Sequence, residues 1–167
     1  MDMTTPASEC INPDDFLQTP AGRVWTPERN KHAWAQAFTA LRLALSHPSE
    51  RALPYSLRPL YVVCGIQGAG KTTWIRNNWG RLAPCVFFDA ALPRAIHRAP
   101  LVKMAEEAGT RAYAVWVVAS VSQALSRNAQ RTEDERVPES AIRAVAEQFE
   151  EPTVAEGFVN VLNIRTE

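Results

Sequence analysis

The sequence predicts an α/β fold: a three-layer sandwich around a short, mainly parallel sheet, with an α-helical N-terminal extension. Three observations carry this expectation. From residue 60 onward, short apolar runs of strand length alternate with longer segments of helical period. The runs are apolar throughout, as strands covered on both faces are. A glycine-rich turn, Gly65 to Gly70, joins the first run to a helix. The chain has 167 residues, 46% of them hydrophobic, enough for one core and too many for a disordered chain.

Residues 1–26 are rich in Pro, Asp and Thr and read as extended chain. A helix is expected from Thr26-Pro27-Glu28, with Thr as N-cap, Pro at the first position and an acid in the first turn. Trp34, Phe38, Leu41 and Leu45 form its apolar stripe, and it ends by His47-Pro48. Three prolines mark residues 48–59 as a linker, so residues 1–58 read as an extension and 59–167 as the main domain. Strands follow at Leu60 to Cys64, Val86 to Asp89, Ala112 to Ala119 and Phe158 to Ile164. Helices are expected at Lys71 to Trp79, Arg98 to Ala108 (stopped by Gly109), Ser120 to Gln130 and Pro138 to Phe149, with a polar loop over Arg131 to Arg136.

Several function classes are excluded. Eighteen basic residues balance eighteen acidic ones, which argues against a broad basic face for non-specific nucleic-acid binding. No apolar run approaches the roughly 20 residues that span a bilayer. The N-terminus Met1-Asp2-Met3-Thr4 carries no secretory pattern, so no membrane association and a cytoplasmic location are the expectation. Cys10, Cys64 and Cys85 are scattered and odd in number, and read as small buried thiols rather than a disulfide or zinc framework.

Gly65-Ile66-Gln67-Gly68-Ala69-Gly70-Lys71-Thr72 fits GxxxxGK[ST] completely, with a strand before it and a helix after it. Glycines let backbone N–H groups turn inward around phosphate oxygens, and the helix adds its positive dipole end. The Lys71 ammonium is expected on the β- and γ-phosphates and the Thr72 hydroxyl on Mg²⁺. The ATP-binding set is Gly65, Gln67, Gly68, Ala69, Gly70, Lys71, Thr72 and Thr73, with Lys71 also counted as catalytic.

Beyond this loop, Arg127-Asn128-Ala129-Gln130-Arg131, Val137-Pro138-Glu139, Gln148-Phe149-Glu150 and Glu151-Pro152-Thr153-Val154-Ala155-Glu156-Gly157-Phe158 follow one another. That succession resembles the polynucleotide-kinase-type branch of the P-loop kinases, near the zeta-toxin kinases, over about residues 60–164. The resemblance implies a P-loop NTPase sandwich that transfers the ATP γ-phosphoryl group to a hydroxyl. It places the lid arginines of the family at Arg127 and Arg131, which would close over the triphosphate and stabilise transferring charge. Asn128 reads as a local hydrogen-bonder, and Glu156-Gly157-Phe158 as a structural turn.

Asp89 is the one acid read at the end of a buried strand, where open α/β sheets bind ligands. Family members carry two such acids, a base facing the acceptor hydroxyl and a metal-side residue. Phe88-Asp89-Ala90-Ala91-Leu92-Pro93-Arg94, with His97-Arg98 downstream, resembles the second. Asp89 is therefore expected, with Thr72, on the Mg²⁺ side, and the strand bearing the base is expected to be shortened away. The base is unassigned; Glu133, Asp134 and Glu135 in the lid are within the range of options, and His97 reads as structural.

Two functions remain. One is a kinase acting on a hydroxyl of a nucleic-acid end (such as a 5′ end), a nucleotide or a small molecule. The other is an ATP-binding or ATP-hydrolysing regulatory module without an acceptor. Residues 1–58 fit either as a covering arm, with Trp25 and Trp34 available to stack on a base or to join the core.

Overall fold

The computed structural model describes residues 8–46 and 57–166. The chain begins with β1 (Glu9–Ile11), a 3-10 turn over Pro13–Leu17, and a small antiparallel hairpin of β2 (Gln18–Thr19) and β3 (Gly22–Arg23). Helix α1 (Pro27–Ser46) leads to β4 (Leu60–Cys64), α2 (Lys71–Leu82) and β5 (Val86–Asp89). Then come α3 (Ala95–Ala108), β6 (Ala112–Val118), α4 (Val121–Ala129), α5 (Glu139–Glu147) and β7 (Val161–Arg165). Five strands make one parallel sheet in the order β1-β5-β4-β6-β7.

Strand period sorts the core into two layers. Leu60, Val62 and Cys64 of β4, with Val86 and Phe88 of β5, face α1 and α3, meeting Ala37, Leu41, Leu45, Leu101 and Val102. Val63, Phe87, Val115 and Val117 face the opposite way, toward Trp74 and Ile75 of α2, Ala124 of α4 and Ile142 of α5. Strands covered on both faces need apolar residues at every position, which is why their sequences do not alternate. The fold is thus the expected three-layer α/β sandwich.

Helix α1 turns its small residues Ala33, Ala37 and Ala44 inward beside Leu41 and Leu45. Trp34 lies at the edge of that face, its ring 5.7 Å from Phe38 and 6.0 Å from Phe88. It packs against the core half-buried, whereas Trp25 is exposed.

The expected extended chain over 1–26 differs most. Within it, β1 pairs in parallel with β5, Glu9 opposite Val86 and Ile11 opposite Phe88, so the sheet keeps a strand beyond β5. That strand comes from ahead of the glycine-rich turn, not from a shortened segment after it. Arg58 fastens it: buried, it donates from Nη2 to the Ala44 carbonyl at 2.6 Å and pairs with Glu9 at 3.0 Å. Most of the expected linker, residues 48–56, lies outside the described residues, as does His47.

Some expectations shift for local reasons. Helix α3 starts at Ala95 rather than Arg98, because His97 Nδ1 accepts from the Arg94 N–H and Glu150 from the Ala95 N–H. The last strand begins at Val161, not Phe158, because Thr153 and Glu156 cap a 3-10 turn that ends at Gly157. Within the expected lid loop, Glu133–Glu135 make one 3-10 turn.

Candidate nucleotide site

The C-terminal end of β4 lies between β5 and β6, where the chain passes from one side of the sheet to the other. This is the crevice in which open α/β sheets bind ligands. The glycine turn fills it. Gly65 N–H donates to the Ala91 carbonyl at 3.1 Å and Ala69 N–H to Ile66 at 3.1 Å. Lys71 Nζ, half-buried, donates to the carbonyls of Gly65 at 2.9 Å and Ile66 at 3.1 Å. A side chain is impossible at two positions for packing reasons. A Cβ on Gly68 (φ +83°) would stand 2.5 Å from the Ala124 carbonyl, and one on Gly65 would strike the Val117 carbonyl. Both glycines press the loop against α4 and β6, while the first-turn N–H groups of α2 lack intrahelical acceptors and remain for an anion.

Thr72, at the second position of α2, donates its hydroxyl to Asp89 Oδ2 at 2.9 Å. Asp89 is buried, and burial pushes its carboxyl above the ordinary 3.8, against the opposing pull of Lys71 and the Thr72 hydroxyl. Burial likewise lowers the Lys71 ammonium from its ordinary value, partly restored by Asp89 and lowered further by Arg131. The positive charge of Arg131 also pulls the Asp89 carboxyl down, more weakly than burial raises it.

A further acid was missed. The 3-10 turn after β1 sets Asp14 and Asp15 at the same sheet edge. The Asp14 charge raises both the Lys71 ammonium and the Asp89 carboxyl, and the Asp89 charge adds to the burial that raises Asp15. Asn12 caps the turn, its Oδ1 accepting from the Asp14 N–H at 2.9 Å, and Arg23 pairs with Asp14 at 3.4 Å. Asp89 remains the acid that ends a buried strand; Asp14 and Asp15 follow β1, an edge strand with one buried side chain. The available signal was Cys10-Ile11 followed by Asn-Pro-Asp-Asp, a cap and first turn directly after an apolar residue.

The lid residues divide in their contacts. Arg127, half-buried, donates from Nη1 to the carbonyls of Gly68 at 3.2 Å and Ala69 at 3.1 Å and to Thr166 at 3.0 Å, bracing the loop from behind. Asn128 is buried and bonds Val137 twice, accepting from its N–H at 3.0 Å and donating to its carbonyl at 2.7 Å. The lid is thereby closed at its base. Thr73 is exposed, Ala69 is buried, and Gln67 Oε1 is a buried acceptor without a donor among the described residues. Glu156 lies elsewhere: it holds the fully buried Arg98 through two bonds of 2.8 Å. His97 is exposed and serves the start of α3.

The residues suit a hydrated Mg²⁺. Among the described residues no cluster of three His, Cys, Asp or Glu side chains exists to hold a metal by protein alone. A hydroxyl and a carboxylate in contact beside the glycine turn match an ion that keeps most of its water.

A family model for an AAA domain matches residues 80–152, from the last three residues of α2 to just past α5. The glycine turn itself lies outside the matched stretch, which covers less than half of the chain. No curated protein matches the chain. The parallel sheet with helices on both faces is consistent with a P-loop NTPase-like sandwich. No helix among the described residues is long and apolar enough to cross a membrane.

Proposed function

We propose that the protein is a Mg²⁺-dependent ATP kinase that phosphorylates a hydroxyl of a nucleic-acid end, a nucleotide or a small molecule. One observation carries the reading: β1 pairs in parallel with β5, Ile11 opposite Phe88, which sets the turn bearing Asp14 beside the strand end that bears Asp89. An ATPase needs the loop and the metal-side acid; a carboxylate arriving from a second strand end is what an acceptor requires.

In this reading the loop N–H groups and Lys71 hold the β- and γ-phosphates, and Thr72 and Asp89 hold the hydrated metal. Bound Mg²⁺ supplies charge neutralisation at the phosphate oxygens. Arg131 adds positive charge above the transferring group, and Arg127 keeps the loop in shape while lying within the same lid. Asp14 takes the proton of the acceptor hydroxyl as its oxygen bonds to the γ-phosphorus and the bridging P–O bond breaks, releasing ADP. Gln67 Oε1 is suited to receive a hydrogen bond from a hydroxyl or water beside the loop. Residues 59–167 thus carry the nucleotide side, and residues 1–58 contribute the acceptor side.

The test is label transfer from γ-labelled ATP with Mg²⁺ to 5′-hydroxyl oligonucleotides, nucleosides and sugar alcohols, with free phosphate measured in parallel. Labelled acceptor, lost in Asp14→Asn with Mg·ATP binding kept, supports the kinase. Phosphate release that no acceptor class alters, with Asp14→Asn indistinguishable from wild type, overturns it in favour of the regulatory ATPase.

A further inference from the structure

The lid and the N-terminal hairpin touch across more than a hundred residues of sequence. Asp134, in the 3-10 turn of the lid, accepts a hydrogen bond from the Arg23 backbone N–H through Oδ2 at 3.0 Å. The same Arg23 reaches Asp14 with Nη1 at 3.4 Å. We infer that Asp134 is a positioning residue which, through Arg23, ties closure of the lid to the placement of Asp14. The inference rests on the kinase reading and deepens it.

Each link is held on both sides. At the lid end, Asn128 fixes Val137, and Arg136 Nε donates to the Arg131 carbonyl at 2.9 Å, so the segment with Arg131 and Asp134 is braced internally. At the hairpin end, Thr19 Oγ1 donates to the Gly22 carbonyl at 2.7 Å and Val24 N–H to the Leu17 carbonyl at 3.0 Å, above the buried Leu17. Gly22 has φ +109°, and a Cβ there would lie 2.9 Å from Asp134 Oδ2, so glycine permits the carboxylate to approach. The partner is a backbone N–H rather than a long side chain, so this contact escapes the rotamer cost that makes exposed ion pairs weak.

A lid that moves away would therefore release the Arg23 N–H, and with it the segment that holds Asp14. The Arg131 charge and the Asp14 carboxylate would come to the phosphate centre together. Asp134, expected as a candidate for the acceptor's base, thus serves the hairpin whose Arg23 holds Asp14.

Backbone hydrogen exchange over residues 18–25 and 131–136, without nucleotide and across a titration with Mg²⁺ and a non-hydrolysable ATP analogue, tests the link. In wild type both segments should gain protection at one midpoint. Asp134→Ala should raise exchange at the Arg23 amide about tenfold, the ratio one ordinary hydrogen bond carries. Its hairpin should no longer respond to nucleotide while its lid still does. Asp134→Asn keeps an acceptor oxygen and should behave as wild type. Gly22→Ala should uncouple the segments from the other side with Asp134 unchanged. Calorimetry on the same wild-type sample reports nucleotide binding separately, so its absence overturns the nucleotide reading by itself. Normal binding with a protected, responsive hairpin in both Asp134→Ala and Gly22→Ala overturns the positioning role alone.

Discussion

Removing Glu156 should be among the costliest single changes in the molecule, although it lies outside the proposed chemistry. Arg98 is 0% exposed, and Glu156 neutralises it through Nε–Oε2 and Nη2–Oε1 bonds of 2.8 Å each. Among the described residues the one further partner of the guanidinium is the Leu92 carbonyl, which accepts from Nη1 at 2.8 Å. Glu156→Ala leaves a buried guanidinium without its counter-charge, a change that costs about 3–5 kcal/mol. For a chain of this size that is a fall in Tm of roughly 6–20 °C, at about 2–4 °C per kcal/mol. The damage should reach the loop as well. Leu92 is held at φ +47°, a conformation costing about 1–3 kcal/mol for such a residue, and Arg98 holds its carbonyl there. If Arg98 shifts, the Ala91 carbonyl that accepts from Gly65 shifts with it, and nucleotide affinity drops. Urea unfolding followed by fluorescence and calorimetry measures the first effect, and titration with Mg·ATP the second. Arg98→Met combined with Glu156→Leu should recover most of the stability, since an apolar pair carries no unpaired charge. A Glu156→Ala protein within about 1 kcal/mol of wild type at an unchanged m-value would refute the reasoning.

Three other outcomes are expected. Asp89 titrates above its ordinary value because of burial, so its stabilising protonated form is fully present below 3.8 and is lost as pH rises through the raised folded value. Asp89→Asn should therefore raise the Tm of the nucleotide-free protein at neutral pH, by a margin that shrinks on acidification, while impairing turnover; an unchanged or lower Tm at pH 7 counts against it. Gly68→Ala forces a methyl against the Ala124 carbonyl at a positive φ, and calorimetry should find Mg·ATP binding lost in a protein that still folds. Asn128→Ala removes both bonds to Val137, and should cost about 1–3 kcal/mol in denaturant unfolding and speed proteolytic cleavage within 131–136.

Most of what repeats along the chain was legible beforehand. The buried strands β4, β5 and β6 announce themselves as apolar runs, α1 by its cap, its proline and its period, and the phosphate loop by glycines whose spacing is a property of local backbone. Such features depend on residues within a turn or two of one another, and any reader of the sequence has all the partners in view. The sequence therefore determined the sandwich, the glycine turn between β4 and α2, and Asp89 at the end of β5. It did not reveal β1, because three residues, Glu9-Cys10-Ile11, with a single buried side chain, are too few to show a period. What only the tertiary structure decided follows from that strand. It pairs with β5, so the turn carrying Asp14 and Asp15 comes to the sheet edge occupied by Lys71 and Asp89. The same holds for Asp134 on Arg23, 111 residues apart, and for Glu156 on Arg98, 58 apart. A charged residue's role is set by the group it meets, and that group was brought near by the burial of apolar faces elsewhere in the chain, a cause with no local trace in the residue itself.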